Sequence, residues 1–477
     1  MQIRRPRLTV ALIMAMLLAI SACSSGGGES ADDGGDESTD TTADDPVTTD
    51  ETTEDTLGDE GKAFEIDEIA PAVIADLEAY WDQTMPDAYD TEYEPVSGGF
   101  HPYSSEEEPP SCGGGPTDYE VWAFNAFYCQ PDDLVAWDTE QLLPTLMDDY
   151  GPYAIAMVFA HEWGHAIQAR SGVFGNYPTI MMELQADCFA GSWTGWVYEG
   201  NSDTLNIDDA AFGQALGGLV LIRDQPGTVS TDEAASPHGS AFDRINSFQE
   251  GFENGAARCV EYETDMPTPL DLTFQGEEDY ELGGNLPLDD TLQLAMDDLN
   301  AYWSAILPEF EPIEGLEPYE VGGDEVPECD GDLADEESQT DQVMYCIDDN
   351  VVALDADFVS AVHEDVGDMG VAALLAREWA TAAQLQTDSL PDDVLDALAV
   401  DLCFTGAWAA DIYQRVPEEV PEGLITSLSP GDLDEVILVY SSIVNTPDSE
   451  GGGGIVAFAL VDALREGFFG GADACAG

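Results

Sequence analysis

Apolar residues recur at helical spacing along most of the chain beyond residue 65. The segment GPYAIAMVFAHEWGHAIQAR carries Pro152 in its first turn, and YPTIMMELQADCFAGSWTGWVYEG starts with Pro178 and Thr179 and ends at Gly200. Near the cysteines, LVAWD has the length and composition of a short strand. The pattern therefore predicts a mainly α fold with a small β element, which is an α+β class.

The start of the chain lacks this pattern. Residues 1–22 join three arginines to the apolar run LTVALIMAMLLAI and end in ISAC, which predicts a secretion signal. ISAC resembles the lipobox of bacterial lipoproteins, in which the cysteine, here Cys23, is lipidated; a soluble protein cut near Ala22 is the alternative. Residues 23–62 are acidic and almost free of apolar residues, which predicts a disordered tether. We expect an extracytoplasmic, lipid-anchored protein at the bacterial cell surface or in the periplasm.

Beyond the tether the chain repeats itself with an offset of about 216 residues. DLEAYWDQTMPDAYD matches DLNAYWSAILPEFEP, and FYCQPDDLVAWD matches MYCIDDNVVALD. CFAGSWTGWVY matches CFTGAWAADIY, and FQEGFENGAARC matches LREGFFGGADAC. Two copies are too few for a solenoid. The sequence therefore predicts a tandem duplication, with domains at residues 63–265 and 288–477 and a linker at residues 266–287.

The cysteines follow the same repeat. Without Cys23, eight of the nine cysteines are left, and an even number suits an oxidising compartment. Their gaps are 17, 59 and 71 residues in the first copy and 17, 57 and 72 in the second. Because no gap is a CxxC, a thiolate metal site is disfavoured. The repeat predicts four disulfides: Cys112–Cys129, Cys188–Cys259, Cys329–Cys346 and Cys403–Cys475.

The charge of the chain restricts its partners. It contains 99 acidic and 11 basic residues, a formal net charge of −88. Nucleic acid is excluded as a partner, because phosphate recognition needs clustered lysine and arginine. The acidic surface favours a solvated coat for salty or cation-rich surroundings over a dedicated cation-binding function.

One HExxH motif stands in the first copy. On a helix, His161 and His165 lie one turn apart on one face, so both imidazoles reach a single zinc ion, which then needs a third protein ligand and a water. The downstream ELQAD supplies Glu183 as that ligand and Asp187 as the carboxylate that accepts a ligand imidazole's N–H. Glu162 is placed to take a proton from the bound water. Chance surface histidines and helix-face charges are the alternatives.

These motifs resemble a known family. AHEWGHAIQ, ELQADCFAG and the upstream AFYCQPDDLVAWD are similar to the putative neutral zinc metallopeptidases, over roughly residues 65–262. The resemblance implies a zincin-like metallopeptidase domain with a gluzincin-like site. In it Zn²⁺ is held by His161, His165 and Glu183, and Glu162 is the base.

A further candidate comes from the same comparison. PHGSAFDRINSF resembles the family's His-Gly-Ser segment ahead of its last helix. The resemblance and the chemistry of amide hydrolysis nominate His238 as the donor that stabilises the oxyanion. A loop histidine that caps the next helix is the alternative, and Tyr153 and Tyr177 are other candidate donors.

The second copy lacks the metal ligands. Its residues Arg377, Thr381 and Leu398 stand where the first copy has the two histidines and the glutamate, while Glu378 matches Glu162 and Gly454 falls opposite His238. Because the cysteines, tryptophans and helix pattern are kept, the histidines are expected to serve the metal and not the fold. The second domain is predicted to be an inactive, degenerate metallopeptidase-like domain that docks a protein partner, regulates, or packs on the first.

The sequence as a whole predicts a membrane-anchored zinc-dependent peptidase. Peptide bonds would be hydrolysed by zinc-activated water with Glu162 as general base. One alternative is a non-catalytic envelope lipoprotein that binds a partner through peptidase-like folds and a structural zinc. Another is a zinc hydrolase of a non-peptide substrate.

Overall fold

The structure is a computed structural model that describes residues 66–207, 238–320, 342–444 and 453–476. It also describes short pieces between these ranges, namely 213, 218–220, 223, 224, 226, 227, 328, 329, 332 and 333. The predicted signal peptide, the lipidation site Cys23 and the acidic tether lie outside the described residues. Of the helices described, none combines the length and the apolar character that a bilayer span requires.

Helices dominate the first half of the chain, with one small sheet between them. In chain order the elements are α1 (Ile66–Tyr89), β1 (Gly99–Tyr103), α2 (Tyr119–Trp122), β2 (Ala126–Cys129), β3 (Leu134–Asp138), α3 (Leu142–Asp149), α4 (Pro152–Ser171), α5 (Thr179–Tyr198), α6 (Ala241–Asn254) and α7 (Ala256–Glu261).

The second half has a closely similar order of elements. These are α8 (Glu277–Glu281), α9 (Leu288–Ile306), β4 (Gly315–Tyr319), β5 (Glu328–Cys329), β6 (Asp332–Leu333), β7 (Val343–Cys346), β8 (Val351–Asp355), α10 (Ala356–Asp365), α11 (Asp368–Gln386), α12 (Val394–Tyr413), α13 (Asp432–Val444) and α14 (Gly453–Gly470). The predicted class, mainly α with a small β element, is confirmed.

Each half contains a three-stranded mixed sheet of the same topology. The order is β1–β3–β2 in the first half and β4–β8–β7 in the second. The first strand runs parallel to the central one and the third strand runs antiparallel to it. The central strands β3 and β8 are buried at every position, which explains why LVAWD is an apolar run and not an alternating one.

Helices α5 and α6 approach so closely that only glycine fits between them. A Cβ on Gly191 would lie 1.9 Å from the carbonyl oxygen of Phe248, and one on Gly251 would lie 1.8 Å from that of Cys188. In the second half, a Cβ on Gly406 of α12 would likewise lie 1.9 Å from the carbonyl oxygen of Leu464. The two helix pairs are therefore packed by the same backbone contact.

The four predicted disulfides are the pairs that the structure brings together. In the first half they join β2 to the loop before it and α5 to α7, and in the second half they join the corresponding segments. The pairs are Cys112–Cys129, Cys188–Cys259, Cys329–Cys346 and Cys403–Cys475.

The two halves share one hydrophobic core. The rings of Phe242 in α6 and Phe468 in α14 lie 5.3 Å apart, and Gln249 Nε2 donates to the carbonyl oxygen of Phe458 at 3.1 Å. The backbone N–H of Phe242 donates to Asp434 Oδ1 of α13 at 3.1 Å. One buried apolar cluster continues across these contacts, so helix α6 packs against residues of both halves.

The glycine contact generates a test of the fold. We expect Gly191→Ala to force α5 and α6 apart and to destabilise the first half by about 1–3 kcal/mol, although alanine favours a helix. Gly406→Ala should do the same to the second half. The midpoint of thermal unfolding measures both, with Gly315→Ala as control because nothing lies within 4 Å of its added Cβ. Equal midpoints for Gly191→Ala and the control would contradict the contact.

Candidate metal centre

The centre is built on two buried helices, α4 and α5. Helix α4 is buried along nearly its whole length, and of its two histidines His161 is buried and His165 is partly exposed. Gly164, between the two histidines, lets α5 lie directly against this face. A Cβ on Gly164 would be 2.6 Å from the Cα of Ala186. The HExxH turn and the ELQAD turn are consequently held side by side.

The three predicted ligands meet at this contact. Nε2 of His161 lies 3.1 Å from Glu183 Oε2, and Nε2 of His165 lies 3.5 Å from Glu183 Oε1. One donor atom from each residue lies within 4.8 Å of the other two. Their side chains are only 5%, 12% and 10% exposed. This is a compact N₂O donor set of the kind that zinc accepts.

The second nitrogen of each imidazole is already engaged. Nδ1 of His161 lies 2.7 Å from Asp187 Oδ1, and Nδ1 of His165 lies 2.9 Å from Gln168 Oε1. Both partners are acceptors, so each Nδ1 carries a proton, and Nε2 is the atom that is left to bind a metal once it gives up its own proton. The tautomers fit a metal held through Nε2, and Asp187 occupies the place predicted for the outer carboxylate.

Arg244 completes this arrangement, and the sequence analysis did not assign it a role. From helix α6, its Nε and Nη2 bond to the two oxygens of Asp187 at 2.9 and 2.8 Å. Arg244 is 1% exposed and Asp187 is fully buried. The two hydrogen bonds from Arg244 hold the carboxylate of Asp187 in place, and this carboxylate in turn orients the ring of His161. An arginine within a segment of helical apolar spacing was the signal that could have identified it.

A second chain of amides holds His165. Gln168 Nε2 donates to the carbonyl oxygen of Met182 at 2.6 Å and to Gln185 Oε1 at 3.1 Å. Gln185 Nε2 in turn donates to the carbonyl oxygen of Cys259 at 2.9 Å. The orientation of His165 is thus tied through α5 to the disulfide-linked helix α7.

Glu162 lies beside the ligands and contacts the sheet. Its Oε2 accepts the backbone N–H of Tyr128, in the edge strand β2, at 2.7 Å. Burial raises the pKa of Glu162, while the neighbouring imidazoles of His161 and His165 oppose the shift. A raised pKa suits a carboxylate that must take up and release a proton near neutral pH.

The pKa values of the ligands show how much negative charge is buried here. Burial by itself would lower the pKa of His161, but the carboxylates of Asp187 and Glu183 together outweigh burial and raise this pKa to about 10. Burial by itself would raise the pKa of Glu183, but His165 and His161 hold this pKa well below its usual range. The buried carboxylates draw positive charge to the two imidazoles. A divalent cation between the two Nε2 atoms would neutralise the same buried negative charge.

His238 lies on the turn before α6. Its side chain is 48% exposed, and its Nδ1 lies 3.2 Å from Asp224 Oδ1. The neighbouring Gly239 packs on Leu184 of α5, next to the ligand Glu183. Ser240 caps α6 by accepting the N–H of its third residue, so the alternative of a capping histidine is wrong. The oxyanion role of His238 stays a prediction.

The two tyrosines named as alternative donors have other contacts. Tyr153 is fully buried, and its hydroxyl lies 2.7 Å from Thr194 Oγ1. At the helical rise per residue, Thr194 lies about 16 Å along α5 from Glu183. The hydroxyl of Tyr177 donates to the carbonyl oxygen of Glu263 at 3.4 Å. Tyr153 is therefore a packing residue.

The corresponding place in the second half is filled by internal contacts. Nη2 of Arg377 lies 2.6 Å from Glu378 Oε1, so the arginine at the first ligand position neutralises the retained glutamate. Thr381 and Gln384 both donate to Asp401, at 2.9 and 2.6 Å. Here the described residues hold a closed polar network and not a set of metal ligands.

Comparison with known proteins gives a family match that covers the first half. Residues 33–262 match a family described as putative neutral zinc metallopeptidase. The uncharacterized protein Rv2575 of Mycobacterium tuberculosis (strain H37Rv) is 34% identical over 166 residues, which are 30% of this chain and 55% of that protein. The uncharacterized protein YpfJ of Escherichia coli (strain K12) is 31% identical over 168 residues, 31% of this chain and 56% of that protein. No solved structure matches the chain.

These matches have a defined extent. The chain spans about half the length of the curated relatives it matches. The family region contains both ligand helices, the small sheet and the two disulfides of the first half. The resemblance predicted from the motifs is confirmed, because residues 33–262 match the putative neutral zinc metallopeptidases.

Proposed function

We propose that the first half is a zinc-dependent peptidase. The observation that carries the proposal is the convergence of His161 Nε2, His165 Nε2 and the Glu183 carboxylate, with each Nδ1 already engaged. A donor set oriented in this way fits zinc without rearrangement of either helix. Glu162 lies next to it with a pKa that burial raises.

The roles of the residues follow from their positions. Zinc, when bound, supplies Lewis acidity, which polarises a carbonyl and makes a water more acidic. Glu162 accepts the proton of the attacking water and passes it to the leaving amine. Asp187, held by Arg244, keeps His161 in the metal-binding tautomer, and Gln168 does the same for His165. His238 is the proposed donor to the oxyanion.

Catalysis is favoured over a purely structural zinc by the number of ligands. Structural zinc sites are closed by four protein ligands, whereas catalytic sites leave one position to water or substrate. Among the described residues, the group around His161 has three candidate ligands and no fourth histidine, cysteine or carboxylate. The proposed substrate is therefore a peptide or protein that reaches the remaining position.

The location of the enzyme is part of the proposal. The ISAC sequence supports lipidation at Cys23 and attachment to the outer face of the cell membrane. The pairing of the other eight cysteines supports an oxidising compartment. The acidic segment would then hold the peptidase away from the membrane.

The second half has other residues at the positions of the buried ion pair, and this difference supports the proposal. The matching glycine contacts of the two helix pairs align Asp187 with Leu402 and Arg244 with Leu460. The buried ion pair is thus absent where the ligand His161 is absent, although the helices pack in the same way. We infer that the pair serves the metal, and that residues 288–477 form a non-catalytic domain that packs on the first half and offers a surface to a protein partner.

Glu162→Gln tests the role of the base. The amide oxygen can still accept the N–H of Tyr128, so zinc content and fold should be kept, while peptide turnover falls by about 10²–10⁴-fold. A fluorogenic peptide library and elemental analysis measure the two quantities. Glu378→Gln in the second half should leave turnover unchanged. A Glu162→Gln variant with full turnover would exclude Glu162 as the base.

His165→Thr tests the metal site itself. Threonine stands at the matching position of the second half, so the helix should still pack and the unfolding midpoint should change little. Zinc, expected at one ion per chain in the wild type, should be lost, and a chelator should abolish wild-type activity in the same way. His101→Ala is the control, because the ring of His101 bonds to the backbone carbonyl of Gly98 and, among the described residues, is not one of the group that could hold the metal. Zinc retained by His165→Thr would contradict the ligand assignment.

A double-mutant cycle tests the buried ion pair. Arg244→Leu alone leaves the charge of Asp187 buried and unpaired, so we expect destabilisation by about 3–5 kcal/mol. Asp187→Leu/Arg244→Leu should recover much of this stability, because leucines occupy both places in the second half. Zinc affinity of the double variant should nevertheless fall by about 10–100-fold. Unfolding midpoints and zinc competition measure both effects, and unchanged zinc affinity would show that the pair only packs.

A further inference from the structure

A second group of buried acidic side chains lies away from the zinc ligands. Asp368 is the first residue of α11, and Asp432 and Glu435 lie in the first turn of α13. One carboxylate oxygen of each lies within 4.8 Å of the other two. The residues are only 8%, 7% and 7% exposed. We call this group the acidic triad.

Each member uses one oxygen to accept a backbone N–H. The donors are Leu286 to Asp368 Oδ2 at 3.0 Å, Ser429 to Asp432 Oδ2 at 2.8 Å and Met369 to Glu435 Oε2 at 2.9 Å. These bonds fix the three carboxylates. The other oxygens of two members, Asp368 Oδ1 and Asp432 Oδ1, are buried and accept no hydrogen bond from the described residues. A buried oxygen without a partner is costly unless something else contacts it.

No lysine or arginine among the described residues balances the charge of the acidic triad, although the nearby His363 lowers the pKa of Asp368. Burial raises the pKa of all three carboxyls, to about 8 for Glu435, and repulsion from a neighbouring carboxylate adds to the rise for Asp432 and Glu435. The closest arginine contact in this region is made by Arg223, which pairs with Asp434. Of the described residues, no lysine or arginine forms an ion pair with the acidic triad.

The fold itself does not require carboxylates at these positions. At the offset of 216 residues that relates the two copies in sequence, the corresponding residues are Pro152, Leu216 and Leu219. Pro152 begins helix α4 and Leu219 is fully buried, so apolar side chains occupy these two positions in the first half. The acidic triad is therefore not repeated at these three sequence positions.

We propose that the acidic triad binds a hard divalent cation of the calcium type. The donors are all oxygens, they carry up to three negative charges, and two of them lack any other partner, which is what Ca²⁺ selects. The ion would link the starts of α11 and α13 and, through the N–H of Leu286, the segment that leads into α9. Calcium would thus stabilise the second half, independently of zinc in the first.

Calcium titration of the zinc-loaded chain, dialysed against calcium-free buffer, tests this proposal. By isothermal titration calorimetry at constant ionic strength, we expect one calcium site of highest affinity. Asp432→Asn should weaken binding at this site by about tenfold or more, because it removes one ligand charge. Calcium should also raise the unfolding midpoint of the wild type. Asp432→Asn/Glu435→Gln should show no such rise, yet should be folded without calcium because the repulsion is reduced.

The control separates a specific site from the general acidity of the surface. Glu418→Gln/Glu419→Gln removes the same number of charges from exposed positions and should bind calcium as the wild type does. Equal calcium affinity in Asp432→Asn and the wild type, or a midpoint that calcium raises equally in all variants, would overturn the proposal and leave protons as the balancing charge. Zinc content measured on the same samples is unaffected by either result, so the peptidase proposal is tested separately.

Discussion

The metal centre depends on the contact between helices α4 and α5 at Gly164. The candidate ligands lie on two different helices. Their donor atoms can converge because Gly164 has no side chain that would separate the two backbones. Once the helices touch, the remaining freedom is that of the side chains, and buried partners remove it. Arg244 holds Asp187, Asp187 holds His161, and Gln168 holds His165. Such preorganisation would let the proposed metal bind without rearrangement of the protein.

The retained glutamate of the second half shows that Glu162 has a structural role beside the proposed catalytic one. Tyr345 N–H donates to Glu378 Oε2 at 2.8 Å, as Tyr128 N–H donates to Glu162 Oε2 at 2.7 Å. In both halves the glutamate therefore ties the edge strand of the sheet to the buried helix. This bond needs only an acceptor oxygen, so it persists where the metal ligands do not. It also explains why a glutamine should preserve the fold of the first half but not proton transfer.

The sequence predicted well the features that local spacing or the internal repeat determines. The i, i+4 spacing of His161 and His165 needs only a helix, and the repeat of cysteine gaps predicted all four disulfide pairs. Arg244 was missed because it reaches Asp187 from a helix 57 residues away, a contact that no local spacing encodes. The acidic triad was missed for the same reason, and because isolated acidic residues are common in a chain of charge −88.

Buried negative charge is handled differently in the two halves, and this difference relates their sites. In the first half, imidazoles and Arg244 balance the carboxylates around the metal centre, and a cation there strengthens the balance. In the second half, Arg377 balances Glu378 within the former ligand position, so that site needs no ion. The acidic triad, in the part of the chain that the structure describes, forms no ion pair with a lysine or arginine. Since an unpaired buried charge must be neutralised by a proton or an ion, a bound ion would couple the stability of the second half to its surroundings. A proton there would instead couple that stability to pH.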